Sequence, residues 1–117
     1  TALRAVPAPH PKLLMDLRIC ADVQVNNPTL AETLLRLVQE SLTNAARHAG
    51  ANRVSVEISR QGERVMLRIE DDGMVKGVMR EGNGMAGMRE RVEASRGDFR
   101  VSAAPHGGLR IEAGFPA

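Results

Sequence analysis

Residues 27–50 read NPTLAETLLRLVQESLTNAARHAG, and the spacing within this stretch decides the fold. Asn27 suits a helix cap and Pro28 the first helical position. Thr29 and Glu32 stand at capping-box spacing, so a helix begins near Pro28, with Gly50 its natural stop. Leu34, Val38, Leu42, Ala45 and Ala49 fall on one narrow stripe at about 100° per residue, the signature of a long amphipathic helix with a defined core face.

The period changes on either side of that helix. Downstream, Val54, Val56 and Ile58 alternate with polar residues, a turn follows at Gln61-Gly62, and Val65, Leu67 and Ile69 alternate again, as in a β-hairpin. Asp72-Gly73 then opens a segment with Gly77, Gly82, Gly84 and Gly87, read as a long loop. Met88, Val92 and Ser95 share one side of a short helix ending at Gly97. The strands Phe99-Val101-Ala103 and Leu109-Ile111-Ala113-Phe115 flank a turn at Pro105 to Gly108. Upstream, Leu17, Ile19, Ala21, Val23 and Val25 alternate, predicting a first strand over Leu17–Val25. Pro7, Pro9 and Pro11 oppose regular structure before it, so residues 1–16 read as a linker or truncated entry segment and residues 17–117 as one domain. The order β-α-β-β-loop-α-β-β predicts an α+β chain, a two-layer α/β sandwich of about five strands with both helices on one face.

Composition narrows the function. At 117 residues with 43% hydrophobic and 26% charged content, the chain is one ordinary globular domain. A net charge of +2 and only two aromatics, Phe99 and Phe115, argue against direct nucleic-acid binding. One cysteine and three scattered histidines indicate neither a disulfide scaffold nor a structural zinc site. No apolar run is long enough to span a bilayer, and a reducing, cytoplasmic setting fits.

Three polar features stand where packing alone does not explain them. Glu40, Asn44 and His48 are spaced four and four along the long helix, with Arg47 beside them. Such a row can face a ligand, Asn44 offering an amide oxygen to a phosphate-bound Mg²⁺ and Glu40 a base one turn away. It can equally be a solvated flank with Arg36–Glu40 and Glu40–Asn44 pairs. Asp71 shares strand parity with Val65, Leu67 and Ile69, so it aims toward the core side. There it either accepts from a purine amine or caps the Asp72-Gly73 turn. The glycines from Gly82 to Gly87 lead into a helix whose N-terminus could cradle phosphates; without a ligand they form a flexible loop.

Together these segments resemble the ATP-binding catalytic (HATPase, GHKL superfamily) domain of bacterial two-component sensor histidine kinases, over about Pro28 to Pro116. The run Gln39-Glu40-Ser41-Leu42-Thr43-Asn44-Ala45-Ala46-Arg47-His48-Ala49 resembles the N box of the class coupled to helix-turn-helix response regulators. The resemblance implies the Bergerat ATP-binding fold. It implies Asn44 as the Mg²⁺ ligand, Glu40 as the group polarising the attacking atom, and Arg47 and His48 near the phosphates. Asp71 with Gly73 is similar to the first glycine box, whose Asp binds adenine. Gly82-Asn83-Gly84-Met85-Ala86-Gly87-Met88-Arg89-Glu90-Arg91 is similar to the second, placing Gly82, Gly84, Met85, Gly87 and Met88 against the nucleotide. Gly107-Gly108-Leu109 and Pro116 resemble the closing strand motif.

Two positions depart from the pattern. Val75 stands at the second glycine of the first box, and Leu109 replaces a threonine whose hydroxyl could bond Asp71, so both bear on ATP affinity. The segment Met74 to Glu81 makes a short lid. His10, between Pro9 and Pro11, cannot occupy a helix interior and is not read as a phosphoacceptor.

The function so implied is Mg²⁺-ATP binding and donation of the γ-phosphoryl group to a histidine on a separate dimerisation domain, with a response regulator downstream. The domain alone is expected to be monomeric and cytoplasmic. The rivals are a catalytically weakened nucleotide-binding or protein-interaction module, and an anti-sigma-factor-like serine kinase of the same fold.

Overall fold

In the computed structural model, residues 13–21, 23–46, 51–73, 83–105 and 107–116 are described. They form β1 (Leu14–Ile19), α1 (Pro28–Asn44), β2 (Arg53–Gln61), β3 (Arg64–Asp71), α2 (Asn83–Ala94), β4 (Asp98–Ala103) and β5 (Leu109–Pro116). The strands lie in the order β1-β2-β3-β5-β4, with β1 parallel to β2 and every other neighbour antiparallel. The expected mixed five-stranded sheet and two-layer sandwich are therefore present.

Strand register turns the period-2 pattern into continuous rows. Leu17, Val56, Ile69, Ile111 and Val101 run side by side across all five strands, and Ile19, Ile58, Leu67, Ala113 and Phe99 form the next row. Both helices pack on this face. On the opposite face Arg18, Glu57, Arg68, Glu112 and Arg100 make a row of alternating sign. Arg68 Nη2 donates to Glu57 Oε1 at 2.9 Å. Pairs this exposed add little stability but keep like charges apart.

The first strand lies earlier than the alternation implied. Alternation persists from Leu13 to Val25, so periodicity alone cannot end the strand. Pairing does: β1 stays in register with β2 from Leu14↔Arg53 to Ile19↔Ile58. The chain then turns, with Val23 N–H donating to the Cys20 carbonyl at 3.0 Å. β1 thus crosses the boundary expected between residues 16 and 17.

Asn27 caps α1 as expected, its Oδ1 accepting from Thr29 N–H at 2.9 Å and Leu30 N–H at 3.4 Å. Thr29 is already inside the helix, so the Thr29–Glu32 capping box does not form, and Glu32 instead pairs with Arg36 at 3.7 Å. Gly50, the expected stop, lies outside the described residues. The buried arc of α1 is wider than one stripe, taking in Leu30, Thr33, Leu37 and Ser41 besides Leu34, Val38 and Leu42. The helix touches two partners, sheet and α2, which explains the width. Thr33 Oγ1 lies 3.4 Å from Ser95 Oγ, and Ser41 Oγ donates to Met88 Sδ at 3.7 Å. The start of α1 therefore meets the end of α2 and the later part of α1 meets the start of α2, so the helices are antiparallel.

The glycine-rich segment read as loop is in part helix, since α2 begins at Asn83 and includes Gly84 and Gly87. Each glycine costs about 1 kcal/mol of helix propensity, and burial of Met85, Met88 and Val92 against α1 and the sheet overrides it. At the other end Arg96 takes the left-handed conformation, φ +60°, and Gly97 N–H donates to the Val92 carbonyl at 2.9 Å. A Cβ on Gly97 would meet the Gly114 carbonyl oxygen at 2.7 Å and Phe115 Cδ1 at 2.8 Å. Gly97 is thus needed for close approach, while the strained backbone belongs to its neighbour.

Arg96→Gly is expected to stabilise the domain by up to about 1 kcal/mol and Gly97→Ala to destabilise it by roughly 1–3 kcal/mol, read from urea unfolding midpoints.

Candidate functional site

One end of the sandwich collects the polar features singled out from the sequence. Asp71 closes β3 on the core-facing parity, beside Val54 of β2. Its Oδ1 accepts from Gly73 N–H at 2.9 Å and from Leu109 N–H at 3.3 Å. The Asx turn foreseen as the simpler reading is therefore real, but it uses one oxygen only. No described group donates to Oδ2, and no described side-chain oxygen is both enclosed and unpaired, so Oδ2 keeps an open side. An oriented carboxylate with one free acceptor at the edge of an apolar layer suits an exocyclic amine.

Gly108 permits this arrangement. A Cβ there would collide with the Asp71 carbonyl and come within 2.9 Å of Asp71 Oδ1. Only glycine lets the start of β5 lie so close that Leu109 reaches Asp71 through its backbone. The hydroxyl missing at Leu109 is thus replaced, for Asp71 Oδ1, by a main-chain N–H.

Asp72, next along, performs a separate task. Its Oδ1 accepts from Asn52 N–H at 2.8 Å and Arg53 N–H at 3.0 Å, and its own N–H donates to the Arg53 carbonyl at 3.2 Å. Those bonds, that to Arg53 N–H foremost, hold its carboxyl below the usual value of 3.8. Ala51 N–H in turn donates to the Ala45 carbonyl at 3.2 Å. This chain of contacts ties the end of α1 to the Asp71 turn and so brings Asn44 to the same end of the sheet.

Glu40 and Asn44 are both half-buried on α1. The pairs that would have made this row a mere solvated flank are absent among the described residues: Arg36 turns to Glu32, and neither Glu40 nor Asn44 has a side-chain partner. Glu40 lines a groove of about 270 Å³ between the helices together with Thr43, Gly87 and Met88, with Arg36 and Arg91 beside it. Asn44 lies one turn further toward the Asp71 end. Because α2 runs antiparallel to α1, its N-terminus points to this same end, and its first turn carries no acidic residue to repel an anion. Gly84 sits in that first turn. Gly87 has nothing within 4 Å of where a Cβ would be, so packing does not demand glycine there.

Met85 and Met88, expected against a nucleotide, belong to the hydrophobic core, and Met88 also forms groove wall. Arg47, His48, Gly82, Val75 and the segment 74–81 lie outside the described residues. Arg36 is expected from the sequence only to pair with Glu40, and Arg91 only to end the second glycine motif; the antiparallel pairing of α1 with α2 places them in one groove.

Residues 29–117 match the family described as histidine kinase-, DNA gyrase B- and HSP90-like ATPases. The chain belongs to this family. An ATPase domain of this family implies ATP as the bound nucleotide. The sensor histidine kinase YxjM of Bacillus subtilis is 39% identical over 89 residues, 76% of this chain and 22% of its own length. The kinase/phosphatase UhpB of Salmonella typhimurium is 39% identical over 101 residues, 81% of this chain and 20% of its own. The chain thus spans about one fifth of the curated relatives it matches. Among solved structures, the ATP-binding domain of PrrB from Mycobacterium tuberculosis superposes with a TM-score of 0.69 at 25% identity, over 92% of this chain and 82% of that one. The histidine kinase domain of the Erythrobacter litoralis EL346 blue-light-activated kinase gives 0.70 at 26%, over 87% and 51%. Among the described residues of this ATPase domain no helix is long and apolar enough to cross a membrane.

The lowered Asp72 carboxyl makes a prediction in acid. Its stabilising contribution is complete above the ordinary value of 3.8 and is lost as pH falls through the lower folded value. Wild type should therefore lose stability below about pH 4 more steeply than Asp72→Asn, which stays uncharged, in thermal unfolding from pH 6 to pH 2.5.

Proposed function

We propose that this chain is the catalytic domain of a sensor histidine kinase, which binds ATP with Mg²⁺ and passes the γ-phosphoryl group to a histidine on a separate dimerisation domain, for relay to a response regulator. The observation that carries this reading is the convergence at one end of the sandwich of the Asp71 carboxylate, the Glu40–Asn44 row, unpaired among the described residues, and the N-terminus of α2. The pairing of β1 with β2 supports counting Leu14–Ile19 as part of the same domain. Such a domain works in the cytoplasm, where ATP is available.

The donor set suits Mg²⁺ bound mainly through phosphates. Among the described residues no group of three or more His, Cys, Asp or Glu side chains could cage a metal ion. Mg²⁺ keeps few protein ligands when phosphates supply oxygens, and Asn44 offers one amide oxygen. When bound, the ion neutralises charge on the phosphates.

The residues then divide the work. Asp71 Oδ2 accepts from the adenine amine while Gly73 and Leu109 hold Oδ1 still. The α2 N-terminus and the glycines before it orient the phosphates. The acceptor imidazole attacks the γ-phosphorus through its unprotonated nitrogen as the bond to the β–γ bridging oxygen breaks and ADP departs. Glu40 takes the proton from the other ring nitrogen, leaving a phosphohistidine whose ring is neutral and whose phosphoryl group keeps its negative charge. Asn44 and Glu40 are both present, and the matched relatives are named sensor kinases, which favours this reading over an inert module or a serine kinase.

Calorimetric titration with a non-hydrolysable ATP analogue tests it. Saturable binding that weakens in EDTA is expected, with Asp71→Asn raising Kd about tenfold or more through loss of a charge-assisted hydrogen bond. Absence of binding with Mg²⁺ present would overturn the reading. Glu40→Gln should leave Kd within about twofold while lowering phosphorylation of the acceptor domain by roughly 10²–10⁴-fold.

A further inference from the structure

The groove holding Glu40 continues beyond what the nucleotide reading uses. Arg36 lies one turn before Glu40 on α1, and Arg91 one turn after Gly87 on α2, and both line the groove. Both are exposed. Arg91 has no ion pair or hydrogen bond with any described residue. Among the described residues Arg36 meets only Glu32, at 3.7 Å with both side chains more than half exposed, a contact weak enough for an incoming carboxylate to displace. Arg91, which Glu32 does not reach, leaves a positive charge at the end of the groove away from Glu40, and Arg36 adds a second once Glu32 is displaced.

Its shape is equally specific. Side-by-side antiparallel helices present a trough that accepts the side-chain ridge of a third helix. Met88 lines the trough, and Gly87 beside it leaves clearance, with nothing within 4 Å of where its Cβ would be. Glu40 can act as a base only if the acceptor imidazole comes within hydrogen-bond reach, so the element carrying the imidazole must enter this groove. With the imidazole at Glu40, a side chain one helical turn away on that element reaches Arg36 and Arg91.

The geometry points to the α1–α2 groove as the docking surface for the phosphoacceptor helix, with Arg36 and Arg91 recognising an Asp or Glu three or four residues from the acceptor. This inference rests on the kinase reading and adds what selects the partner segment. Arg36 and Arg91 are positioning residues: they place the acceptor and touch neither nucleotide nor reacting atoms.

The test uses the full-length parent protein carrying Arg36→Glu and Arg91→Glu singly and together. Two quantities are measured, the Kd for a fluorescent ATP analogue and the initial rate of autophosphorylation, with circular dichroism confirming the fold. The expected result is a Kd within about twofold of wild type and a rate at least about tenfold lower in the double variant, because charge reversal at a docking surface impairs association. Arg91→Lys should retain most of the rate. Changing the acidic residue one turn from the acceptor to Lys should restore activity to the double variant. A folded Arg91→Glu protein with weakened analogue binding would assign the groove to the phosphates and overturn the inference, as would an unchanged rate or failed rescue. A wild-type protein that binds the analogue yet never autophosphorylates would refute the kinase reading and this inference together, whereas a normal wild-type rate with indifferent variants would refute the inference alone.

Discussion

α1 is buried on two sides at once, sharing the core with the sheet through Leu34, Leu37, Val38 and Leu42, and meeting α2 through Thr33 and Ser41. That double burial leaves a single flank of the helix for anything else, and Glu40 and Asn44 occupy it. It also sets the direction of α2. With Ser41 on Met88 and Thr33 on Ser95, the antiparallel arrangement points the α2 N-terminus toward the end of the sandwich where β3 finishes. A shorter or narrower buried arc on α1 would leave α2, whose own sequence includes two glycines, with too little packing to stay helical.

At that end backbone donors and one glycine do the positioning. Gly108 brings β5 against β3, Leu109 and Gly73 hold one oxygen of Asp71, and Asp72 ties the turn to the start of β2. None of these contacts depends on a long, mobile side chain, so the carboxylate is oriented before a ligand arrives, and little ordering remains to oppose binding. Leu109 illustrates the point: the side chain there lacks the expected hydroxyl, yet the main-chain N–H of the same residue reaches Asp71.

The alternation of apolar residues, the Asn27 cap and the glycine punctuation determined element order, and with it the two-layer α+β class. Motif spacing likewise singled out Glu40, Asn44 and Asp71. These signals are local, set by side-chain period and backbone preference, and survive into the structure for that reason. Where β1 ends, why α2 begins among glycines, why Arg96 rather than Gly97 turns left-handed, and that Arg36 and Arg91 share a groove were decided only by tertiary structure. Each depends on a partner far along the chain: β2 for β1, α1 for α2, β5 for Gly97. Strand register and helix packing are long-range contacts, and periodicity within a segment carries no information about which distant segment will supply them.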